Sequence, residues 1–356
     1  MRYALGFVLA CAACGPEIRM TDDIDLTWDF EFTPKRFDGF LHTPYIKGAP
    51  VTVFVTAGEK DDLTGWSVYS TDSSVFELTG SALDEDKHAI TAWGRAVGDG
   101  TAGLIVEDKK GKQVGVDEAE VLSPDRGELK SHGYLILRQE DQALEDELRI
   151  VAGGTATYLV NYYNGNRELH GNSVLTVDPP SAVVAQPRTS FLFENREWLT
   201  VTAAAAAGNE NLTLRANGSA FATVPVVTVP ESDMKNVSLL GLPEAGHKDG
   251  EWLVLLAQAY DASQRKIFGV DYTWTIDGVH SIAQGDLYRY EFKKGDYTQV
   301  TAERGPLSAQ TTIQSDEGFV DSTNHIGCNA AGGAGGLAVF GLLGLVRRRR
   351  STHMQR

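Results

Sequence analysis

Cysteine is almost absent from this chain of 356 residues. The three cysteines are Cys11, Cys14 and Cys328, so the body between residues 15 and 327 contains none. Disulfides therefore cannot hold this body together, and each of its domains must bury an apolar core of its own. The same absence excludes cysteine nucleophiles and thiolate metal sites from the body.

Basic residues are also scarce. The chain has 32 Lys and Arg residues against 48 Asp and Glu residues, and its net charge is -16. Six of the basic residues lie in the terminal segments 1–14 and 330–356, whereas every acidic residue lies in the body. So acidic a surface repels nucleic-acid phosphates, and we therefore exclude nucleic acid as a partner.

The runs of acidic residues raise the question of a calcium site. These runs are Asp22-Asp23, Asp61-Asp62 and Asp84-Glu85-Asp86. None of them has the alternating oxygen-ligand pattern of a dedicated calcium loop. We therefore interpret them as solvated surface and predict no cofactor and no metal, with calcium as the one alternative.

The motifs of common enzymes are missing as well. The eight histidines are scattered, and no His-x-x-x-His or His-Glu-x-x-His pair places two metal ligands on one helix face. There is no Gly-x-Ser-x-Gly nucleophile motif. Ser232 to Lys235 has Ser-x-x-Lys spacing and Gly98 to Gly103 fits a dinucleotide-binding pattern, but strand-like sequence follows both where a helix is needed. We predict that the chain is not an enzyme.

The N-terminus has the order of an export signal. Arg2 precedes the apolar segment Tyr3 to Ala10, and Cys11-Ala12-Ala13-Cys14 follows. This order is typical of a processed signal rather than of a structural helix. A cysteine after small residues resembles a lipoprotein signal, which implies that Cys14 becomes the acylated first residue. Ordinary cleavage after Ala10 to Ala12 is the alternative.

The C-terminus has the composition of a membrane span. Ala330 to Val346 contains no charge, and as a helix its 17 residues would rise about 25 Å, at the short end of what crosses a bilayer. Positive residues stay on the cytoplasmic side, so Arg347, Arg348, Arg349 and Arg350 predict that everything before the span faces outward. A buried helix, or a dimerising span using Gly332 and Gly336, is the alternative.

The residues before this span carry a family resemblance. Gly327-Cys328, a short Gly/Ala spacer, one span and a terminal arginine cluster resemble the myxobacterial C-terminal sorting tag of the MYXO-CTERM type, over about residues 325–350. The glycine-rich first half of the span is instead similar to the related Gly-Gly tag class. The resemblance implies that a membrane-bound sorting peptidase processes the chain at Cys328 and leaves the mature protein on the cell surface. The membrane and this peptidase are therefore predicted partners.

The body shows the sequence pattern of β structure, in which short strand-like segments alternate with turn residues. It has about 310 residues, enough for two or three domains, and short strand-like segments recur roughly every 8–12 residues, which favours β-sandwiches. Val51 to Val55 alternates with a period of two, which predicts a strand. Trp252 to Tyr260 is apolar on both faces, so periodicity alone allows a buried strand or a buried helix. We predict a strand, because Val270 to Gly278 then resembles the tryptophan-bearing strand of a sandwich. Gly133 to Leu137 is a possible first strand of the second domain, and Pro225 predicts an edge position for its strand.

Three short motifs carry a second resemblance. Trp66-Ser67, Asp72-Ser73-Ser74-Val75 and Gly98-Asp99-Gly100-Thr101-Ala102 follow in order and resemble bacterial immunoglobulin-like domains of the intimin and invasin kind. The implied fold class is all-β, with tandem immunoglobulin-like β-sandwich modules between an export signal and one transmembrane helix. The predicted organisation is a signal at 1–14, a leader or stalk at 15–43 (in which residues 17–42 are a first strand or a stalk), modules at 44–123, 124–230 and 236–315, a stalk with the sorting motif at 316–329, and the transmembrane segment with its arginine stop at 330–350.

A fold of this kind does not fix a function. We expect an exported, non-catalytic structural or adhesin-like interaction protein, anchored at the cell surface or outer membrane, whose partner is an unknown surface protein or glycan. A carbohydrate-binding or envelope-processing accessory protein is the alternative, and an enzyme built on the loops of one module is a third. The six tryptophans are predicted to lie in sandwich cores rather than to form sugar platforms.

Overall fold

We describe a computed structural model of the chain. The described residues are 19–22, 44–56, 62–84, 89–137, 147–172, 174–188, 197–241, 250, 252–277, 279–280, 285–291 and 297–314. The predicted processing residues, which are Cys14, Gly327, Cys328 and Arg347 to Arg350, lie outside these ranges, and so does the predicted span Ala330 to Val346. The export signal, the sorting tag and the membrane anchor therefore stay predictions.

The described residues form strands almost throughout, which confirms the all-β fold class. The helical elements of this part of the chain are a five-residue helix, α1 (His132–Ile136), and a 3-10 turn at Glu231–Asp233. Within the same part, no helix has the length and apolar character that crossing a membrane requires.

The first group of strands, module 1, forms two facing sheets. Its strands are β1 (Arg19–Asp22), β2 (Tyr45–Ile46), β3 (Pro50–Thr56), β4 (Ser67–Ser70), β5 (Phe76–Asp84), β6 (Ala89–Ala96), β7 (Gly100–Glu107) and β8 (Gln113–Leu122). One sheet has the order β1-β3-β6-β5 and the other β2-β8-β7-β4, with β2 parallel to β8. Lettered A to G without β2, these sheets are A-B-E-D and G-F-C, the order of an immunoglobulin-type sandwich.

Alternation along the strands builds the core of module 1. Val51, Val53 and Val55 of β3 point inward and are buried, while Thr52 and Phe54 point outward. Arg19–Asp22, which the sequence placed in the leader as a strand or a stalk, is a strand and pairs with β3.

The second group, module 2, repeats this arrangement. Its strands are β9 (Arg126–Ser131), β10 (Leu148–Val151), β11 (Thr155–Asn164), β12 (Arg167–Leu169), β13 (Leu175–Asp178), β14 (Val184–Arg188), β15 (Trp198–Thr202), β16 (Gly208–Ala216) and β17 (Ser219–Val229). One sheet has the order β10-β17-β16-β13, with β10 parallel to β17. The other has the order β12-β11-β15-β14, and β9 also pairs with β11.

Two predictions about module 2 are wrong. Gly133 to Leu137 is not its first strand, because those residues belong to α1 and its C-terminal end, and β9 begins at Arg126. Pro225 also does not make β17 an edge strand, because β17 lies between β10 and β16. Pairing with β10 begins only at Val226, so the missing N–H of Pro225 removes no hydrogen bond from the β10 ladder.

The third group, module 3, has the same two-sheet plan. Its strands are β18 (Asn236–Leu240), β19 (Trp252–Tyr260), β20 (Lys266–Ile267), β21 (Thr273–Ile276), β22 (Val279–His280), β23 (Leu287–Glu291), β24 (Tyr297–Arg304) and β25 (Leu307–Gln314). One sheet has β18, β20 and β23 paired with β19, and the other has the order β22-β21-β24-β25. The prediction of a strand over 252–260 is confirmed.

The tryptophans separate into core and surface residues. Trp198 and Trp274 are fully buried, and the indole N–H of Trp274 donates to Gly285 O at 3.1 Å. Trp66 packs against the module 1 core from a half-buried position. Trp93 is 46% exposed on the outer face of β6. The prediction of core positions is confirmed for Trp198 and Trp274 and is wrong for Trp93.

Candidate functional site

The joints between consecutive modules are the most specifically built feature of the described chain. The first joint begins with β2, a strand of two residues whose side chains enter two different cores. Tyr45 is buried in the module 1 core, and Ile46 is fully buried in the module 2 core. Successive residues of a strand point to opposite faces, so two residues are enough to reach both modules.

Backbone hydrogen bonds fix the first joint. Ile46 N–H donates to His170 O at 2.8 Å, and His170 N–H donates to Pro44 O at 2.9 Å, which makes a parallel bridge from module 1 to module 2. Lys47 N–H donates to Leu122 O at 3.0 Å, at the end of β8. The joint therefore holds the last strand of module 1 beside the segment that follows β12 in module 2.

The second joint repeats these contacts between modules 2 and 3. Val151 N–H donates to Phe268 O at 3.0 Å, Phe268 N–H donates to Arg149 O at 2.8 Å, and Ala152 N–H donates to Val229 O at 2.8 Å. Residues 44–47 thus correspond one by one to residues 149–152.

The division of side chains between cores is repeated as well. Ile150, like Tyr45, lies in the core of its own module, whereas Val151, like Ile46, lies in the core of the next module. Phe268 of module 3 returns the contact by packing in the module 2 core. The two joints are therefore copies of one structural unit.

Module 2 is held at opposite ends of one strand. The turn at Gly153-Gly154, which belongs to the second joint, leads directly into β11, and His170 of the first joint follows the hairpin at the other end of β11. Because β12 runs back along β11, with Leu169 opposite Tyr162, His170 lies beside about Asn161, and roughly seven residues of strand, about 23 Å, separate the two joints. The three modules are consequently joined in series.

Two glycines allow the close approach at the joints. Gly171 follows His170 at φ +120°, and a Cβ there would lie 2.6 Å from Ala49 Cβ. Gly269 follows Phe268 at φ +71°, and a Cβ there would lie 2.9 Å from Ile150 Cγ2. Both positions combine a left-handed backbone with a lack of space, which makes glycine the residue that fits.

Charged side chains distinguish the second joint from the first. The guanidinium of Arg149 is buried and contacts Asp261 Oδ2 of module 3 at 3.1 Å and Glu147 Oε1 at 2.8 Å. Arg265 Nε lies 2.9 Å from the same Asp261 oxygen. At the first joint, the ion pair of Arg167 with Glu120 is more exposed. A buried pair is costly to break on one side, whereas an exposed pair contributes little.

A second acid, Asp286, lies at the same joint and is half-buried. Burial raises the pKa of Asp286 above its usual value, the charge of His132 in module 2 lowers it, and Asp271 raises it. Burial raises the pKa of the phenols of Tyr158 in module 2 and Tyr272 in module 3, and the negative charge of Asp286 raises both further. Neither phenol has a hydrogen-bond partner in the described part of the chain.

Asp261 shifts in the opposite direction. Burial alone would raise its pKa. Hydrogen bonds from the backbone N–H groups of Arg265 and Ser263 and from the Arg265 guanidinium lower the pKa by more than burial raises it, so the net shift is downward. The ionised form of Asp261 is therefore stabilised in the fold, and that of Asp286 is destabilised.

Sequence reasoning missed the joints. Each copy has an apolar pair followed by one residue and a glycine, Tyr45-Ile46-Lys47-Gly48 and Ile150-Val151-Ala152-Gly153, and each partner is a ring-bearing residue before a glycine. This signal is short, and it becomes distinctive only when the hydrogen bonds pair its two halves. Among the described residues, no group of three or more His, Cys, Asp or Glu side chains could hold a metal ion.

We predict that Gly269→Ala loosens the second joint. The variant places a Cβ against Ile150 in addition to straining the backbone, and overpacking of this kind costs about 1–3 kcal/mol. Gly218→Ala is the matched control, because Gly218 has φ +82° and open space around it. Urea denaturation should show a larger loss for Gly269→Ala, and equal losses in the two variants would contradict the steric role.

We also predict opposite pH effects of two neutralising substitutions. The raised pKa of Asp286 means that its ionisation opposes folding, so Asp286→Asn should stabilise the protein increasingly as pH rises above about 3.9, through the folded-state pKa. The lowered pKa of Asp261 has the reverse sign, so Asp261→Asn should destabilise at neutral pH, with the difference lost as pH falls through its folded-state pKa. Thermal melting between pH 3 and pH 8 measures both effects, and a loss of stability in Asp286→Asn confined to neutral pH would refute the first.

The solved structures that resemble this one belong to bacterial surface proteins, and their sequence identity to this chain is low. No family model and no curated protein matches it. Its structure is similar to that of the Escherichia coli adhesin FdeC, with 12% sequence identity, a TM-score of 0.24, and an alignment that covers 87% of this chain and 94% of the FdeC chain. For the S-layer protein SbsC the identity is 14%, the TM-score is 0.32, and the alignment covers 87% of this chain and 40% of the SbsC chain. For invasin, a bacterial integrin-binding protein, the identity is 14%, the TM-score is 0.24, and the alignment covers 76% of this chain and 57% of the invasin chain. The chain thus spans only part of the SbsC and invasin structures. At these identities and TM-scores the likenesses carry no conclusion about activity, and the sandwich fold described above rests on the chain's own sheets.

Proposed function

We propose that the protein is a cell-surface-anchored, non-catalytic stalk whose modules 2 and 3 hold module 1 away from the membrane for interaction. The observation that carries this proposal is the repeated joint. Each joint fixes the next module through the same backbone bonds and through side chains exchanged between cores. An enzyme does not need such a connection, whereas a stiff spacer depends on it.

The distribution of exposed apolar residues supports module 1 as the presented end. Among the described residues, the large hydrophobic side chains that stand exposed are Tyr69, Leu83, Trp93, Val97, Val116 and Val184. All of these except Val184 belong to module 1. These residues lie on both sheets and in the turn after β6, so they do not form one continuous patch. Module 1 takes the interacting role in this proposal because it has most of them, and modules 2 and 3 are then the spacer.

The anchoring part of the proposal rests on the sequence of the C-terminus. The predicted tag and span follow module 3, so module 3 would lie nearest the membrane and module 1 farthest from it. This arrangement uses the ordinary cleavage of the export signal, because acylation of Cys14 would hold module 1 at the membrane as well. The arginine block would hold the span with its charge inside and present Gly327-Cys328 at the outer face.

Small-angle X-ray scattering on the soluble body, residues 15–323, tests the spacer. A compact body of this size has a radius of gyration of about 19 Å. Three sandwiches in series, each about as long as the 11-residue strand β17 (about 36 Å), form a particle about 100 Å long. We expect a radius well above the compact value and a single well-defined maximum dimension. Gly171→Ala with Gly269→Ala should broaden the distance distribution, and a wild-type radius near the compact value would refute serial joining.

Mass spectrometry of the C-terminal peptide tests the anchor separately. We expect Cys328→Ala to leave export intact and to block processing, so that the protein keeps its tail in the inner membrane. Ser322→Ala, a small change in the preceding polar segment, should be processed normally. Recovery of mature surface protein that still carries Arg347 to Arg350 would replace the sorting tag with a plain membrane anchor.

A further inference from the structure

Trp93 is the most exposed aromatic ring on the outer face of the β3-β6-β5 sheet in module 1, where Phe54 of β3 is half-buried. Trp93 lies at the centre of this face, opposite Thr52 of β3 and Gly80 of β5. Its side chain is 46% exposed, whereas Trp198 and Trp274 are fully buried. An indole ring left half in water is a large apolar area that folding has not used.

The surrounding strands fix the position of this ring. The register of β5 shifts between Leu78 and Gly80, and the hydroxyl of Thr79 at this irregularity donates to Trp93 O at 3.1 Å. A Cβ added at Gly80 would lie 3.7 Å from Trp93 Cε3, so the ring extends over the glycine. The bulge thus ties β5 to the backbone of Trp93, and the glycine beside it leaves room for the indole to lie over β5.

Polar groups surround the ring on the same face. Thr52 and Thr91 are partly exposed, and Arg95 follows two residues after Trp93 on β6, opposite Glu77. Arg95 Nε donates to Gly48 O at 3.1 Å, which orients the guanidinium while its other N–H groups remain available for a ligand. The face therefore offers one flat apolar area within a rim of hydroxyl, carboxylate and guanidinium groups.

We propose that Trp93 and this rim bind a neutral glycan. A sugar ring has an apolar C–H face bordered by hydroxyl groups, which matches a single indole bordered by donors and acceptors. A protein partner needs about 800 Å² on each side with an apolar centre, more than one indole supplies. The chain's net charge of -16, together with Glu77 in the rim, disfavours acidic glycans. The proposal gives a ligand class to the end that the proposed function presents.

A purely structural role for Trp93 predicts a different result. An aromatic ring that covers a glycine on the neighbouring strand can stabilise the sheet without binding anything. In that case Trp93→Ala would lower the melting temperature, and the wild-type protein would retain no glycan that the variant fails to retain.

The experiment uses the full chain in detergent on an array of neutral polysaccharides, with uronic-acid polysaccharides as the charged arm. We expect retention on a neutral polysaccharide, a loss of at least tenfold in affinity for Trp93→Ala, and a smaller loss for Trp93→Phe, which keeps an aromatic face. Val184→Ala, which removes an equally exposed apolar side chain from module 2 (56%), should bind as wild type does.

Three results would overturn the glycan site. These are no retention of the wild type on any neutral polysaccharide, unchanged affinity in Trp93→Ala, and retention on the uronic-acid arm alone. Because binding by isolated protein does not depend on extension or anchoring, failure here leaves the scattering test of the stalk intact. Failure of the scattering test likewise does not affect the glycan proposal, which the binding experiment alone decides.

Discussion

Alternation of side chains along a strand is the constraint on which the arrangement of modules depends. In β2 and at the end of β10, adjacent residues face opposite ways, and the chain places a different hydrophobic core on each side. At each joint, one residue of the pair packs in the core of its own module and the other packs in the core of the next module. The pairs are Tyr45 with Ile46 and Ile150 with Val151. Neither module of a pair can rotate without withdrawing an apolar side chain from the other, which costs about 1.5–3 kcal/mol for each residue exposed.

The two joints have the same pattern of backbone hydrogen bonds but different charged groups. The first is closed mainly by apolar contacts, backbone hydrogen bonds and the partly exposed ion pair of Arg167 with Glu120, whose guanidinium lowers the pKa of the Glu120 carboxyl. The second buries Arg149 with Asp261 and places Asp286 beside Tyr158 and His132.

Much of the fold could be predicted from the sequence, because strand period and turn residues are local signals. Val51 to Val55 and Trp252 to Tyr260 show this directly. Pro225 misled the prediction because the edge rule depends on where the neighbouring strand begins, which is a tertiary fact. Gly133 to Leu137 was misplaced because a five-residue apolar run has no period. The joints and the exposure of Trp93 could not be predicted, since both depend on pairing between distant strands.

The parallel pairing of β10 with β17 determines how module 2 carries a mechanical load. The two strands run side by side, with Leu148 opposite Val226 and Val151 opposite Val229. When the chain is pulled from its two ends, the load reaches β10 after β9 has separated from β11, and β10 and β17 are then drawn toward opposite ends, so their ladder is sheared along its length. All four residue pairs must then separate together instead of opening one after another. Module 2 is thus built to resist stretching along the same direction in which the modules are joined.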